Sequence, residues 1–217
     1  RNPIEKKNYA GGYLFCPTAG LYKYMFDEDL TSLYPSIIMS LNIGKETLVG
    51  RIIDANDRNN RLGLNDLKEM DPEQELEVEN SVRKRTYMKV KKLISIIEEG
   101  NLAISANGTF FKTSQQSVLS TILNKWFTER VKYKGEMKKA YKSGDSELGA
   151  SFHLKQYTMK ILLNSLYGAT ALKSFRYGNV ILSEAITLSG QRIIQESALC
   201  ANRHMNKIMR NEIKLEI

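Results

Sequence analysis

Two long stretches of helical pattern, residues 115–142 (QQSVLSTILNKWFTERVKYKGEMKKAYK) and residues 147–167 (ELGASFHLKQYTMKILLNSLY), are separated by little more than the turn Ser-Gly-Asp-Ser. So short a connection predicts antiparallel neighbours, an αα-hairpin that the rest of the chain must pack around. The first arm is basic: between residues 124 and 142, Lys125, Arg130, Lys132, Lys134, Lys138, Lys139 and Lys142 stand against only Glu129 and Glu136. A basic helix is usually a solvated face, but Arg130 and Lys134 are four residues apart and therefore share one side. In the second arm Lys160, Asn164 and Tyr167 recur at helical spacing on one face, while Leu162, Leu163 and Leu166 point elsewhere. Read alone, that arm is an amphipathic helix with incidental polar residues, stopped by Gly168. Beside an antiparallel partner it carries Lys160 towards Arg130 and Lys134. Three cations meeting in a groove imply a triphosphate or a nucleic-acid backbone.

The stretch DEDLTSLYPSII, residues 27–38, crowds acids and hydroxyls ahead of a run of aliphatics. Residues 21–30 have the aromatic content of a strand ending in acid, and LYPSIIMSL reads as a helix with Pro35 in its first turn. Asp29, Thr31 or Ser32 could cap that helix. A strand running into a helix start also places Asp29 at an element end, where sites are concentrated. A carboxylate there, a backbone turn beside it and a cationic hairpin together suit metal-assisted nucleotidyl transfer. The carboxylate would hold Mg²⁺, which is hard and prefers oxygen, and the cations would neutralise the leaving pyrophosphate.

With 217 residues, 42% of them apolar and 26% charged, the chain can bury a globular core of mixed α and β structure, mostly helical by content. Lys and Arg number 32 against 24 Asp and Glu, an excess that favours a polyanionic partner, nucleic acid ahead of a membrane. No apolar run approaches the roughly 20 residues needed to cross a bilayer, and the first residues lack the apolar core of a secretory signal. Cys16 and Cys200 are too few for a disulfide framework, and His153 and His204 are isolated, so zinc spacing is absent and a reducing, cytoplasmic setting is expected. Residues 1–20 read as a connecting segment and 52–71 as an inserted loop with little core. Residues 72–100 read as mostly helix, and 103–112 as a hairpin around Asn107-Gly108. A last helix over Ser183–Asn211 carries Ile186, Ile193, Ile194, Ala198, Met205, Ile208 and Met209 at near-helical spacing.

DLTSLYPSII resembles motif A of family B DNA polymerases, and KILLNSLYG, residues 160–168, resembles motif B. Between them ERVKYK is similar to the family's fingers helix. YAGG, residues 9–12, is similar to its Tyr-x-Gly-Gly element, and NIGKETLVG and ANGTFFK lean towards polymerases of T4-like phages. The resemblance implies a polymerase palm with part of an antiparallel sheet, and a helical-hairpin fingers subdomain. On that plan residues 1–20 are a linker with the Tyr-x-Gly-Gly element. Residues 21–114 are the first part of the palm with motif A and an insertion, 115–168 the fingers, and 169–217 the second part of the palm.

Position by position, the resemblance makes Asp29 a catalytic, Mg²⁺-binding aspartate joined by the Leu30 carbonyl. The backbone of Thr31, Ser32, Leu33 and Tyr34 would cradle a dNTP triphosphate, with Tyr34 under the sugar as a gate against a 2′-hydroxyl. Arg130, Lys134 and Lys160 would hold the triphosphate, with Asn164 beside them. Tyr167 and Gly168 would pack on the nascent base pair, and Tyr9, Gly11 and Gly12 would touch the template. Asp27 and Glu28 match no family ligand. The implied partners are primer-template DNA, dNTP, and the remainder of the polymerase (exonuclease domain, motif C and thumb), with a sliding clamp as a further candidate. The implied setting is the cytoplasm, the host's for a viral protein. The family's second catalytic aspartate belongs to motif C, and no aspartate follows Asp145 here. With Arg1 as the first residue, this predicts a piece of a longer enzyme, nearly inactive alone. The competing expectation is a binding module that keeps the cationic hairpin and grips nucleic acid without catalysis.

Overall fold

The computed structural model describes residues 11–14, 19–21, 29–53, 62–172 and 174–208. Tyr9, Cys16, Asp27, Glu28, Met209, most of the strand expected over 21–30 and the middle of the expected insertion lie outside the described residues.

Five strands form one antiparallel sheet: β1 (Leu48–Ile52), β2 (Glu75–Asn80), β3 (Arg85–Lys89), β4 (Leu102–Ile104) and β5 (Thr109–Lys112), in the order β3-β2-β1-β5-β4. Successive side chains of a strand face opposite sides, so Phe110 and Phe111, adjacent in β5, enter two different cores. Phe111 joins Ile37, Ile38, Leu119, Leu123, Leu163 and Ile186 from the long helices. Phe110 joins Ile52, Leu67, Leu76, Val90 and Leu93 on the other face. The predicted hairpin at Asn107-Gly108 is present, with Gly108 at φ 70° closing the turn between β4 and β5.

The expectation of a helix over most of 72–100 is corrected. Residues 75–80 and 85–89 pair as strands, and only α3 (Val90–Glu99) is helical. Leu76 and Val78 alternate with Glu75, Glu77 and Glu79, a period of two that the charge content conceals. The Asn80 side chain accepts hydrogen bonds from the amides of Val82 (3.1 Å) and Lys84 (2.9 Å), and Arg83 at φ 63° turns the chain back. The expectation of little core in 52–71 is corrected as well. Leu62 and Leu67 are buried, the latter in α2 (Leu64–Glu69).

The predicted αα-hairpin is found as α4 (Val118–Lys142) and α5 (Ser146–Thr170), which runs past Gly168 rather than stopping there. Gly144 at φ 81° makes the turn, Asp145 caps α5 by accepting from the Leu148 amide at 2.9 Å, and Gly149 leaves space that the Tyr141 ring fills. Helix α6 (Val180–Ile208) matches the expected last helix. Of its apolar stripe Ile186 is fully buried, while Ile193 and Ile208 are exposed. Helix α1 (Leu33–Ser40) begins where the sequence places it, but no hydroxyl caps it. Ser32 instead adopts φ 54° and its carbonyl accepts from the Ser36 amide at 2.9 Å.

One side chain joins the end of α1 to the sheet and to α4. Asn42 is buried at φ 53°. Its amide donates to the carbonyls of Lys112 (2.6 Å) and Gln115 (2.7 Å), and its carbonyl accepts from the Ser117 amide at 2.8 Å. Ser117 then caps α4. Removing the Asn42 amide strands three polar groups and forces a residue less tolerant of the left-handed region. Asn42→Ala is expected to lower stability by about 3 kcal/mol in urea unfolding; a loss under about 1 kcal/mol would show that water replaces the amide.

The two cores are also tied across α2 and α6. Arg192 donates two hydrogen bonds to the Asp66 carboxylate, one of 2.9 Å from Nη2, and the same carboxylate caps α2 through the Gly63 amide. Partial burial pushes the Asp66 pKa up, but the Arg192 and Gly63 hydrogen bonds and the Arg192 charge outweigh it, and the carboxyl titrates below its usual range. A depressed folded-state pKa gives stability that is present above the unfolded value of about 4 and lost as pH falls through the folded one. The stability gap between the protein and Asp66→Asn is therefore expected to be full at neutral pH and to close below about pH 4. Urea titrations across that range measure it.

Candidate active-site groove

Three elements converge on a cavity of about 660 Å³. The segment leading into α1 contributes Asp29, Leu30, Thr31, Ser32, Leu33, Tyr34 and Pro35; α4 contributes Arg130 and Lys134; α5 contributes Lys160, Asn164 and Tyr167. The two arms of the hairpin lie side by side, so the spacing that puts Arg130 and Lys134 on one face of α4 aims them at the face of α5 that carries Lys160, Asn164 and Tyr167. Leu30 and the eight residues expected around a triphosphate (Thr31, Ser32, Leu33, Tyr34, Arg130, Lys134, Lys160 and Asn164) line this one space, with Asp29 at its exposed rim.

The electrostatics are one-sided. Asp29 is the single acid on the wall against three cations, and among the described residues no carboxylate pairs with Arg130, Lys134 or Lys160. Arg130 reaches the Ser32 hydroxyl only at 3.4 Å, and its Nε is buried with no hydrogen-bond partner among the described residues. A buried guanidinium N–H with no acceptor costs about 1–3 kcal/mol. Helix α1 starts beside the cavity with no side-chain cap, which leaves the first amides of the helix and the positive end of its dipole next to that space. The fit is to an anion.

Tyr34 packs against Tyr167, ring centroids 4.5 Å apart and tilted by 36°. Gly168 does not line the groove; it is exposed on α5, with open space where a side chain would be. Gly11 and Gly12 lie behind Tyr34. The Gly11 carbonyl accepts from the Gln191 side chain, and a Cβ on Gly12 would stand 3.6 Å from the Tyr34 hydroxyl. Gln191 and its neighbour Gly190 belong to α6 and were not among the expected site residues. The only hint of them in the sequence is a glycine inside a long helical pattern. For a divalent metal, Asp29 and the Leu30 carbonyl offer the right hard-oxygen chemistry, but among the described residues no three acids, histidines or cysteines group together.

A second cavity of about 640 Å³ opens on the other side of Leu30, Thr31 and Leu33, against Leu41, Leu64, Ile104 and Ile193. Its one cation, Arg192, is already paired with Asp66, so its chemistry is apolar. No helix among the described residues is long and apolar enough to cross a membrane.

The family model for DNA polymerase family B matches residues 1–217. The DNA-directed DNA polymerase of Escherichia phage RB69 is 25% identical over 259 residues, covering 97% of this chain and 25% of that protein. That of Enterobacteria phage T4 is 27% identical over 234 residues, covering 94% and 25%. The DNA polymerase of Orf virus (strain NZ2) is 25% identical over 187 residues, covering 86% and 17%. The chain thus spans a quarter or less of these relatives. The solved family B DNA polymerase from the hyperthermophilic archaeon Pyrobaculum calidifontis superposes with a TM-score of 0.55 at 18% identity, over 94% of this chain and 21% of that one, a likeness of fold.

An unpaired cationic groove is expected to bind inorganic tripolyphosphate. A charge-assisted contact is worth about 1.5–3 kcal/mol, so Arg130→Ala or Lys160→Ala should each weaken that binding about tenfold or more in calorimetric titration. Affinity unchanged from that of the original protein in both variants would place the anion elsewhere.

Proposed function

The chain belongs to DNA polymerase family B, and we propose that its groove is the nucleotide-binding half of a template-directed polymerase active site, acting within a longer enzyme. The observation that supports this most is the meeting, around one cavity, of Asp29, an uncapped helix start and three cations that no carboxylate among the described residues pairs. In this reading residues 21–114 and 169–217 form the palm and 115–168 the fingers, with residues 1–20 leading in. Arg130, Lys134 and Lys160 bind the triphosphate of a dNTP, Asn164 flanks it, and the amides at the start of α1 receive phosphate oxygens. Tyr34 lies under the sugar, Tyr167 and Gly168 border the nascent base pair, and Gly11 and Gly12, with Tyr9, meet the template.

Asp29 and the Leu30 carbonyl would hold Mg²⁺, which would supply stabilisation of the negative charge that develops in the transition state. A second carboxylate comes from another part of the enzyme, and the isolated chain extends no primer. A second reading, a nucleic-acid-binding module without catalysis, is favoured by the lack of an acidic cluster among the described residues. The two part at Asp29. In the full-length protein Asp29→Ala is expected to reduce Mg²⁺-dependent nucleotide incorporation by about a thousandfold or more while primer-template affinity changes by less than about threefold. Incorporation at the original rate would reject the catalytic reading and leave the binding module.

A further inference from the structure

Gly190 stands inside α6, where alanine would serve the helix better and no positive φ calls for glycine. What it provides is space for a ring. A Cβ at this buried position would lie 3.0 Å from Cε1 and 3.5 Å from Cδ1 of Tyr34, and 3.4 Å from Cδ1 of Ile37. The same ring meets Tyr167 with centroids 4.5 Å apart, and its hydroxyl end faces Gly12. Gln191, next to Gly190, donates to the Gly11 carbonyl and so draws the glycine pair and α6 around Tyr34 together. The ring is bounded by α6 behind and by Tyr167 beside it, and it lines the groove in front.

We propose that Gly190 is a positioning residue for sugar selection: its missing side chain sets how deeply Tyr34 sits against α6, and thereby the width of the slot left for the nucleotide's 2′ position. The proposal rests on the reading of the groove as a nucleotide site with Tyr34 under the sugar. Ile37 is core and α6 is anchored on its far side by Ser189, whose hydroxyl accepts from the Ala106 amide at 3.1 Å. A methyl at 190 is therefore accommodated by moving the aromatic ring off α6 and into the groove. The 2′ slot narrows.

The test is a double-mutant cycle in the full-length enzyme, with kcat and KM measured for deoxyribo- and ribonucleotides. Gly190→Ala should raise the preference for deoxyribonucleotides by about threefold or more, mainly through KM. In the Tyr34→Ala background the same change should move that preference by less than about twofold, because no ring remains to displace. Equal effects in both backgrounds, or a lowered thermal midpoint with unchanged sugar preference, would overturn the role of Gly190. If Gly190→Ala fails to fold, the double variant should regain the thermal midpoint of Tyr34→Ala; failure of both to fold overturns the proposal too. Tyr34→Ala alone is the separate check: unaltered sugar preference there rejects the placement of Tyr34 under the sugar, whatever Gly190 does.

Discussion

The Asn42 amide is the contact on which the position of the groove depends. It closes three chain ends on one another, the end of α1, the end of β5 and the start of α4, and leaves none of its own hydrogen-bonding groups unused. Close approach is possible because residue 44 is glycine; a Cβ there would stand 2.6 Å from that of Ser117. From this knot α1 and α4 run side by side in opposite senses. The Ser120 hydroxyl meets the Ile38 carbonyl, and Arg130 meets Ser32. Ten residues up α4 correspond to six residues back along α1. A shift of one turn, about 5.4 Å, would carry Arg130 away from the start of α1. A buried amide more than 70 residues from the hairpin arm it positions thus fixes which side chains can act together.

The sheet gives the groove a rigid back. Phe111 commits one of its faces to the core shared by α1, α4, α5 and α6, and the groove forms where three of those helices expose their polar edges. Phe110 commits the other face to α2 and α3, where no groove residue lies. The two sides communicate through α6, whose Arg192 holds Asp66 of α2 while Gly190, half a turn away, abuts Tyr34. The groove's side chains stand on helices anchored in the Phe111 core, and the proposed triphosphate site would gain from such preorganisation.

What the sequence reveals depends on whether the signal is local. The hairpin was legible because a four-residue link between two long helical patterns admits few arrangements, and the cations of the groove were legible because helical spacing puts them on facing surfaces. Strands β2 and β3 were not, since alternating glutamates and lysines around Leu76 and Val78 resemble a charged helix face until a partner strand supplies the pairing. The left-handed turn at Ser32 was hidden behind hydroxyls that suit a cap equally well. Gly190 and Gln191 were invisible for a different reason. Their meaning comes from Tyr34, 156 positions earlier, and no window of sequence contains both.

The start of α1 shows how local and global demands divide. The oxygen side chains ahead of it could stabilise the helix by about 1 kcal/mol as caps, yet Thr31 and Ser32 do not cap, and the Ser32 hydroxyl faces Arg130 instead. Among the described residues, a helix start without a cap, a buried Arg130 Nε without an acceptor and two exposed lysines without counter-ions are each mildly unfavourable, and they occur within one cavity. Independent defects would scatter over the surface. Gathered around one space, they fit the proposed polyanion site, since a single polyanion would satisfy them all and would gain the binding energy withheld from folding. On that proposal a compact chain of phosphates suits the cavity better than a single one, since the helix start and the three cations present separate contacts along the cavity wall.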